Sequence, residues 1–179
     1  MLHNSSLPMA LFINLLIIAL WHFLSYIISG GIGSKYVDYR KFPYRATETE
    51  AKGEFYKENF KIDSWYKFLP TKYNTLGTTP NKLKKLDSLE LKERLTVVCR
   101  SGLCAGLNCL YIICAVILDA PYLAFILGMI VILVNLPFII SARYCRCLIL
   151  NEIVAKRKAL EQQALRAEQT PNVFDLDIL

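Results

Sequence analysis

Charged residues in this chain fall into separate blocks, with long apolar stretches between them. No Asp, Glu, Lys or Arg occurs in residues 1–34, 101–118 or 120–142. A helix of about 17 to 25 residues crosses a hydrocarbon core of about 30 Å, so each stretch can hold a membrane span. We predict spans near 8–29, 97–118 and 121–142. The middle one starts beside Arg100 and contains Gly and Asn, so a re-entrant or buried helix is its alternative.

The basic residues predict the orientation of these spans. The region 35–95 carries 14 Lys and Arg residues, whereas the amino terminus and the turn at 119–121 carry none. Basic residues concentrate on the cytoplasmic side of membrane proteins. We therefore expect a multi-pass protein of the cell membrane, with its amino terminus outside and its central region and carboxy terminus in the cytoplasm. The first span lacks a basic leader and is long for a signal peptide, which favours a retained anchor.

The pattern as a whole predicts an all-α integral membrane protein with about three transmembrane helices, cytoplasmic interfacial helices and an amphipathic C-terminal helix. Residues 1–147 are expected to form a single membrane-embedded domain, with the interfacial region at 35–95, and 148–179 a C-terminal helical tail. A capping box at Thr47 and Glu50 predicts a short helix that continues to Trp65. Asp87 and Glu90 predict a second helix start, which leads into the middle span.

The segment NLPFIISARYCR, from Asn135 to Arg146, combines a polar residue, a proline and two arginines at the end of the third span. Pro137 cannot donate a backbone hydrogen bond, and the amide of Asn135 can bond the carbonyl left free. A kinked helix with an interfacial anchor explains this composition. A binding site at the membrane surface is the alternative.

The same segment also carries a family pattern. Its spacing, N-x-P-x-I-I-x-x-R-Y-x-R, resembles the carboxy-terminal signature of the glycosyl-4,4'-diaponeurosporenoate acyltransferase family, which consists of small bacterial membrane proteins of carotenoid-glycoside acylation. The stretch EAKGEFYKENFKIDSWYKFLP, from Glu50 to Pro70, is similar to a second family motif, and the pair Cys99 and Arg100 to a third. Together the motifs cover about residues 35–147, most of the chain.

Five positions depart from the family pattern, and two of them, Ala142 and Cys145, lie in the carboxy-terminal motif. Where the family usually carries a Glu and then a His-Trp pair, this chain has Gly102, Ala105 and Gly106. Two hypotheses therefore stay open. The chain is either an acyltransferase that acts on a lipid-linked acceptor such as a carotenoid glycoside, or a non-catalytic membrane subunit or scaffold that keeps the fold.

The resemblance implies acyl transfer, which needs a base to take the proton of the acceptor and donors to stabilise an oxyanion. We predict Glu50 as the first candidate for the catalytic base and His22, which lies within the first span, as the second. The predicted substrate-binding residues are Trp65, Asn135, Arg143, Tyr144, Arg146 and Arg100.

No cofactor is predicted, and acyl-coenzyme A is one candidate for the acyl donor. The expected partners are membrane lipid and the lipid-linked acceptor, together with a membrane protein if the scaffold hypothesis holds. No nucleic acid partner is expected, because no nucleic-acid-binding motif is present. A metal site is not expected either, since Cys99, Cys104, Cys109 and Cys114 recur every five residues and so scatter around a helix.

Overall fold

The computed structural model describes residues 7–33, 36, 41, 44–69, 80–113 and 121–169, and every regular element in these ranges is helical. The elements are α1 (Leu7–Gly31), α2 (Glu54–Phe60), α3 (Ile62–Trp65), a 3₁₀ helix (Tyr66–Phe68), α4 (Pro80–Leu83), α5 (Ser88–Cys109) and α6 (Pro121–Gln169). The prediction of an all-α integral membrane protein is confirmed.

Three helical segments are long and apolar enough to cross a membrane, namely Leu7–Gly31, Ser88–Ile113 and Tyr122–Ala167. The expected number of spans is therefore confirmed. The last helix, α6, has 49 residues, and its length of about 73 Å is more than twice that of a hydrocarbon core. One unbroken helix thus contains both the predicted third span and most of the predicted tail. Residues 170–179 lie outside the described part of the chain.

Helices α5 and α6 run antiparallel, as their contacts show. A Cβ placed on Gly128 would lie 2.9 Å from the side chain of Ile112, and one on Gly102 would lie 3.1 Å from that of Ala142. As the residue number rises along one helix, it falls along the other. Gly102, in the carboxy-terminal half of α5, therefore packs beside the middle of α6, and the start of α5 lies beside the second half of α6, where Lys156 donates to the carbonyl of Leu86.

The first helix is antiparallel to α5 in the same way. The indole of Trp21 donates a hydrogen bond to the carbonyl of Leu107 at 2.8 Å, and the guanidinium of Arg100 donates to the carbonyl of Ile32, also at 2.8 Å. The Gly31 end of α1, the start of α5 and the second half of α6 consequently share one end of the bundle.

The start of α5 follows the sequence prediction. The carboxylate of Asp87 accepts the backbone N–H of Glu90 at 2.7 Å, and the carboxylate of Glu90 accepts the backbone N–H of Asp87 at 3.0 Å. This reciprocal capping box satisfies two N–H groups that a helix end leaves unpaired. The predicted helix start is confirmed.

The predicted continuous helix between Thr47 and Trp65 is wrong. Residues 48–52 form turns, α2 begins only at Glu54, and Lys61 separates α2 from α3. Lys61 has a φ of 46°, a left-handed conformation that interrupts the helical hydrogen bonds. The shorter helices fold back on the bundle and bury Tyr56 and Ile62 against α5 and α6.

Pro137 lies within α6, which remains helical on both sides of it. The amide of Asn135 donates to the carbonyl of Val131 at 2.8 Å, whereas the group that Pro137 leaves without a partner is the carbonyl of Leu133. The amide oxygen of Asn135 instead accepts a bond from Asn108 at 3.1 Å. Asn135 therefore links two helices rather than repairing the proline site.

Candidate functional site

The carboxylate of Glu50 is the centre of a polar cluster at the shared end of the bundle. The backbone N–H of Thr47 donates to Glu50 Oε2 at 3.0 Å, and Arg143 Nη1 donates to Oε1 at 2.8 Å. The hydroxyl of Tyr56 also donates to Oε1. Three donors from three parts of the chain therefore meet on one side chain that is only 7% exposed.

The pKa of Glu50 follows from these contacts. Burial acts to raise the pKa of this carboxyl group, but the hydrogen bonds from Tyr56, Thr47 and Arg143 outweigh it and lower the pKa from 4.5 to about 2. Burial and the hydrogen bond to Glu50 raise the pKa of Tyr56. A carboxylate of this kind stays ionised at neutral pH and accepts a proton poorly. The geometry favours a role in holding Arg143 in place over a role as a base.

Tyr144 is held beside this cluster by a second bond. Its hydroxyl donates to Asp63 Oδ1 at 3.0 Å, and Lys57 Nζ lies 3.6 Å from the other oxygen of the same carboxylate. Gly53, with a φ of 75°, passes close to the ring, since a Cβ there would lie 3.4 Å from a ring carbon of Tyr144. Trp65 packs against the same hydrophobic core.

The guanidinium of Arg146 is buried and only partly hydrogen-bonded among the described residues. It is only 3% exposed, and within the described part of the chain its Nε and Nη2 have no hydrogen-bond partner. Burying a charge without full compensation costs free energy, and each unsatisfied donor costs about 1 to 3 kcal/mol. A guanidinium kept under these conditions is suited to an anionic or strongly polar ligand.

Arg143 and Arg146 both line a cavity of about 210 Å³ between α5 and α6. Its other wall is formed by apolar and small residues of α5, and Tyr44 contributes from the preceding segment. Burial raises the pKa of Tyr44, so its hydroxyl remains a neutral donor. The cavity therefore has a cationic part near Arg146 and an apolar part next to it.

His22, Asn135 and Arg100 make their hydrogen bonds away from the Glu50 cluster. His22 Nδ1 lies 3.0 Å from the carbonyl of Ile18 in its own helix. Cys99 and Arg146 line the same cavity. Trp21, the neighbour of His22, contacts Leu107, which lies about 12 Å along α5 from Cys99. His22 therefore lies deeper in the bundle than Arg146.

Arg100 lines a different cavity, of about 540 Å³, between α1 and α5. Small residues of both helices surround it, including Ser29, Gly30 and Ser101. The structure thus brings Glu50, Trp65, Arg143, Tyr144 and Arg146 to one end of the bundle, and it places Arg100 on the opposite face of α5 from Arg146.

Sequence reasoning missed the partners of these residues. Tyr56 and Asp63 both belong to the motif between Glu50 and Pro70 but were not predicted as site residues. The available signal was that several polar side chains stand among the aromatic residues of one short motif. The chain reversal at Gly53 and Lys61 decides which of these side chains face Arg143 and Tyr144, some 80 or 90 residues later.

Comparison with protein families gives a match over most of the chain. The family model described as glycosyl-4,4'-diaponeurosporenoate acyltransferase covers residues 39–153, which include all the residues of the Glu50 cluster and both walls of the 210 Å³ cavity. No curated protein and no solved structure matches the chain.

Proposed function

Because the chain belongs to the glycosyl-4,4'-diaponeurosporenoate acyltransferase family, we propose that it moves a fatty acyl group to a hydroxyl, or an amine, of a lipid-linked acceptor such as a carotenoid glycoside. The observation that carries this proposal is the buried guanidinium of Arg146, with two unpartnered nitrogens among the described residues, at an apolar cavity. Such a cavity suits the polar end of a fatty acyl donor.

The proposed reaction joins the oxygen of an acceptor hydroxyl to the carbonyl carbon of an acyl thioester such as acyl-coenzyme A. The carbonyl oxygen becomes an oxyanion, and the N–H groups of Arg146 stabilise it. Collapse of this intermediate breaks the bond between carbon and sulfur, and the departing sulfur takes up the proton that the hydroxyl loses. Neither Glu50 nor His22 is among the described residues that line the cavity. In this scheme Glu50 is a positioning residue that holds Arg143.

The remaining predicted residues have supporting roles. Tyr144 and Trp65 flank the Glu50 cluster. Trp65 is partly buried and forms part of the acceptor surface, whereas Tyr144 is buried and supports that surface through its bond to Asp63. We place this end of the bundle in the cytoplasm and the amino terminus outside, because the segments at this end carry most of the Lys and Arg residues. Basic residues near an anionic leaflet contribute about 1 kcal/mol each to membrane attachment.

A non-catalytic membrane subunit is the second candidate. It is favoured by the fully hydrogen-bonded carboxylate of Glu50 and by Gly102, Ala105 and Gly106, none of which has a side chain able to move a proton. On this alternative the protein binds an acylated lipid and presents it to a partner enzyme of the membrane.

Lipid analysis of a host with and without the protein tests the proposal. We expect an acylated glycolipid to disappear without the protein and to return with the wild-type chain. The Arg146→Gln variant should restore at least about a hundredfold less product, as is typical when one oxyanion donor is removed. Immunoblotting of membranes would show whether the variant reaches the same abundance.

Arg157→Gln is the matched control, because Arg157 lies on the same helix but is exposed and pairs with Glu161. It should restore the wild-type amount of product. If Arg146→Gln restores as much product as Arg157→Gln, the guanidinium of Arg146 does not act in the reaction. If removal of the protein changes no acylated lipid, while a stoichiometric partner co-purifies in mild detergent, the subunit hypothesis replaces the enzyme.

A further inference from the structure

The polarity of the 210 Å³ cavity changes along the axes of α5 and α6. Its cationic part lies at Arg146 and Cys99, and its deeper part lies at Gly106 and Ile139. Cys99 and Gly106 are seven residues apart, so this part of the cavity extends about 10 Å along α5. Because both helices are candidate membrane spans, the long dimension of the cavity runs along the predicted spans, from the site towards the interior of the bundle.

Two glycines of α5 face this cavity, and they differ in what surrounds them. A Cβ on Gly102 would lie 3.1 Å from the Cβ of Ala142, so this glycine lets the two helices touch. A Cβ on Gly106 would meet nothing within 4 Å. The missing side chain at Gly106 therefore leaves open space, and no neighbouring side chain of the described residues fills it.

We propose that the acyl chain of an acyl thioester donor lies in this cavity, with its carbonyl end at Arg146 and its methyl end passing Gly106, so that Gly106 sets the length of chain that binds. This inference rests on the proposed acyl transfer, because it assigns the cavity to the donor. Charge and polarity support this occupant. The guanidinium matches the thioester oxygen, and the apolar walls formed by Leu103 and Ile139 match the methylene groups.

A side chain added at Gly106 should shorten the space for the acyl chain without harming the fold. Gly106→Leu puts bulk into the open space, and leucine favours a helix interior more than glycine does. Palmitoyl-coenzyme A should then bind about tenfold more weakly, which is the effect of losing the burial of about two methylene groups. Butanoyl-coenzyme A, whose short chain ends well before Gly106, should bind as it does to the wild-type protein.

Photocrosslinking of the full-length protein in detergent measures this binding. The probe is palmitoyl-coenzyme A with a diazirine near the middle of its acyl chain, and butanoyl-, dodecanoyl- and palmitoyl-coenzyme A are the competitors. Mass spectrometry should place the crosslink on α5 or α6 near Gly106 in the wild-type protein. Free palmitate as a further competitor distinguishes a thioester from a fatty acid, since the thioester should compete more strongly.

Leu133→Phe is the control, because this side chain is 64% exposed on the outer surface of α6 and does not line the cavity. It should leave all three competitors unchanged. The inference is overturned if Gly106→Leu weakens all chain lengths alike or none of them, or if free palmitate competes best. Binding is measured without turnover, so a shift in chain length without any acylated lipid in cells would refute acyl transfer and leave the chain-length role of Gly106 standing.

Discussion

The ionised carboxylate of Glu50 should make the stability of the protein depend on pH in a defined window. Its pKa falls from 4.5 to about 2 in the folded protein. At roughly 1.4 kcal/mol for each tenfold change in proton affinity, this corresponds to about 3 kcal/mol of folding free energy at neutral pH. Because the folded pKa is the lower one, this contribution is complete above pH 4.5 and is lost as the pH falls towards 2.

The variant Glu50→Gln removes the charge and keeps the shape of the side chain. At pH 7 we expect it to unfold at a temperature about 6 to 12 °C below that of the wild type, since about 3 kcal/mol is lost and each kcal/mol shifts the midpoint of a chain of this size by about 2 to 4 °C. The difference should shrink at pH 4 and be smaller still at pH 3. Thermal unfolding of both proteins in a mild detergent, followed by circular dichroism, measures it.

Glu58→Gln is the control for this experiment, because Glu58 is an exposed acidic residue of α2. It should unfold at nearly the wild-type temperature at every pH. A difference between wild type and Glu50→Gln that stays constant from pH 7 to pH 3 would refute the reasoning, since the carboxylate would then not be the group that titrates. The absence of any difference at pH 7 would refute it as well.

Four further experiments test other parts of the structure by thermal unfolding in detergent. Lys61→Gly should stabilise the protein by about 0.5 to 1 kcal/mol, because Lys61 has a positive φ, and a loss of stability would contradict that conformation. Asp87→Ala should destabilise it by about 1 kcal/mol through loss of the α5 cap, and an unchanged midpoint would show that the cap is not formed. In a double-mutant cycle, Asn108→Leu and Asn135→Leu should show a coupling of about 0.6 kcal/mol, whereas strict additivity would mean that the two amides do not interact. Arg146→Met should raise the stability by about 1 to 3 kcal/mol, because it removes buried donors that have no partner among the described residues; a clear loss of stability would point to a structural role.

Hydrogen bonds were predictable only between residues of the same short motif. Asp87 and Glu90 lie three residues apart, so their mutual bonds follow from helix geometry alone. Glu50 was predicted as a base because its partners could not be seen in the sequence. Tyr56 reaches Glu50 through a chain reversal, and Arg143 reaches it through packing across the bundle. Their hydrogen bonds lower the pKa of the carboxyl group, so that it stays ionised and holds Arg143 in place.

The amino-acid sequence by itself determined the all-helical membrane architecture, since a bilayer accepts only segments whose backbone groups are satisfied internally and whose surfaces are apolar. It also determined the family, because the motifs keep their spacing along the chain. The tertiary structure decided which residues meet. Gly53 and Lys61 turn the segment 50–69 back on the bundle, and Gly102 lets α5 and α6 touch. Only that packing leaves Arg146 buried at one end of a cavity that has open space at Gly106, because both features depend on atoms that are far apart in sequence.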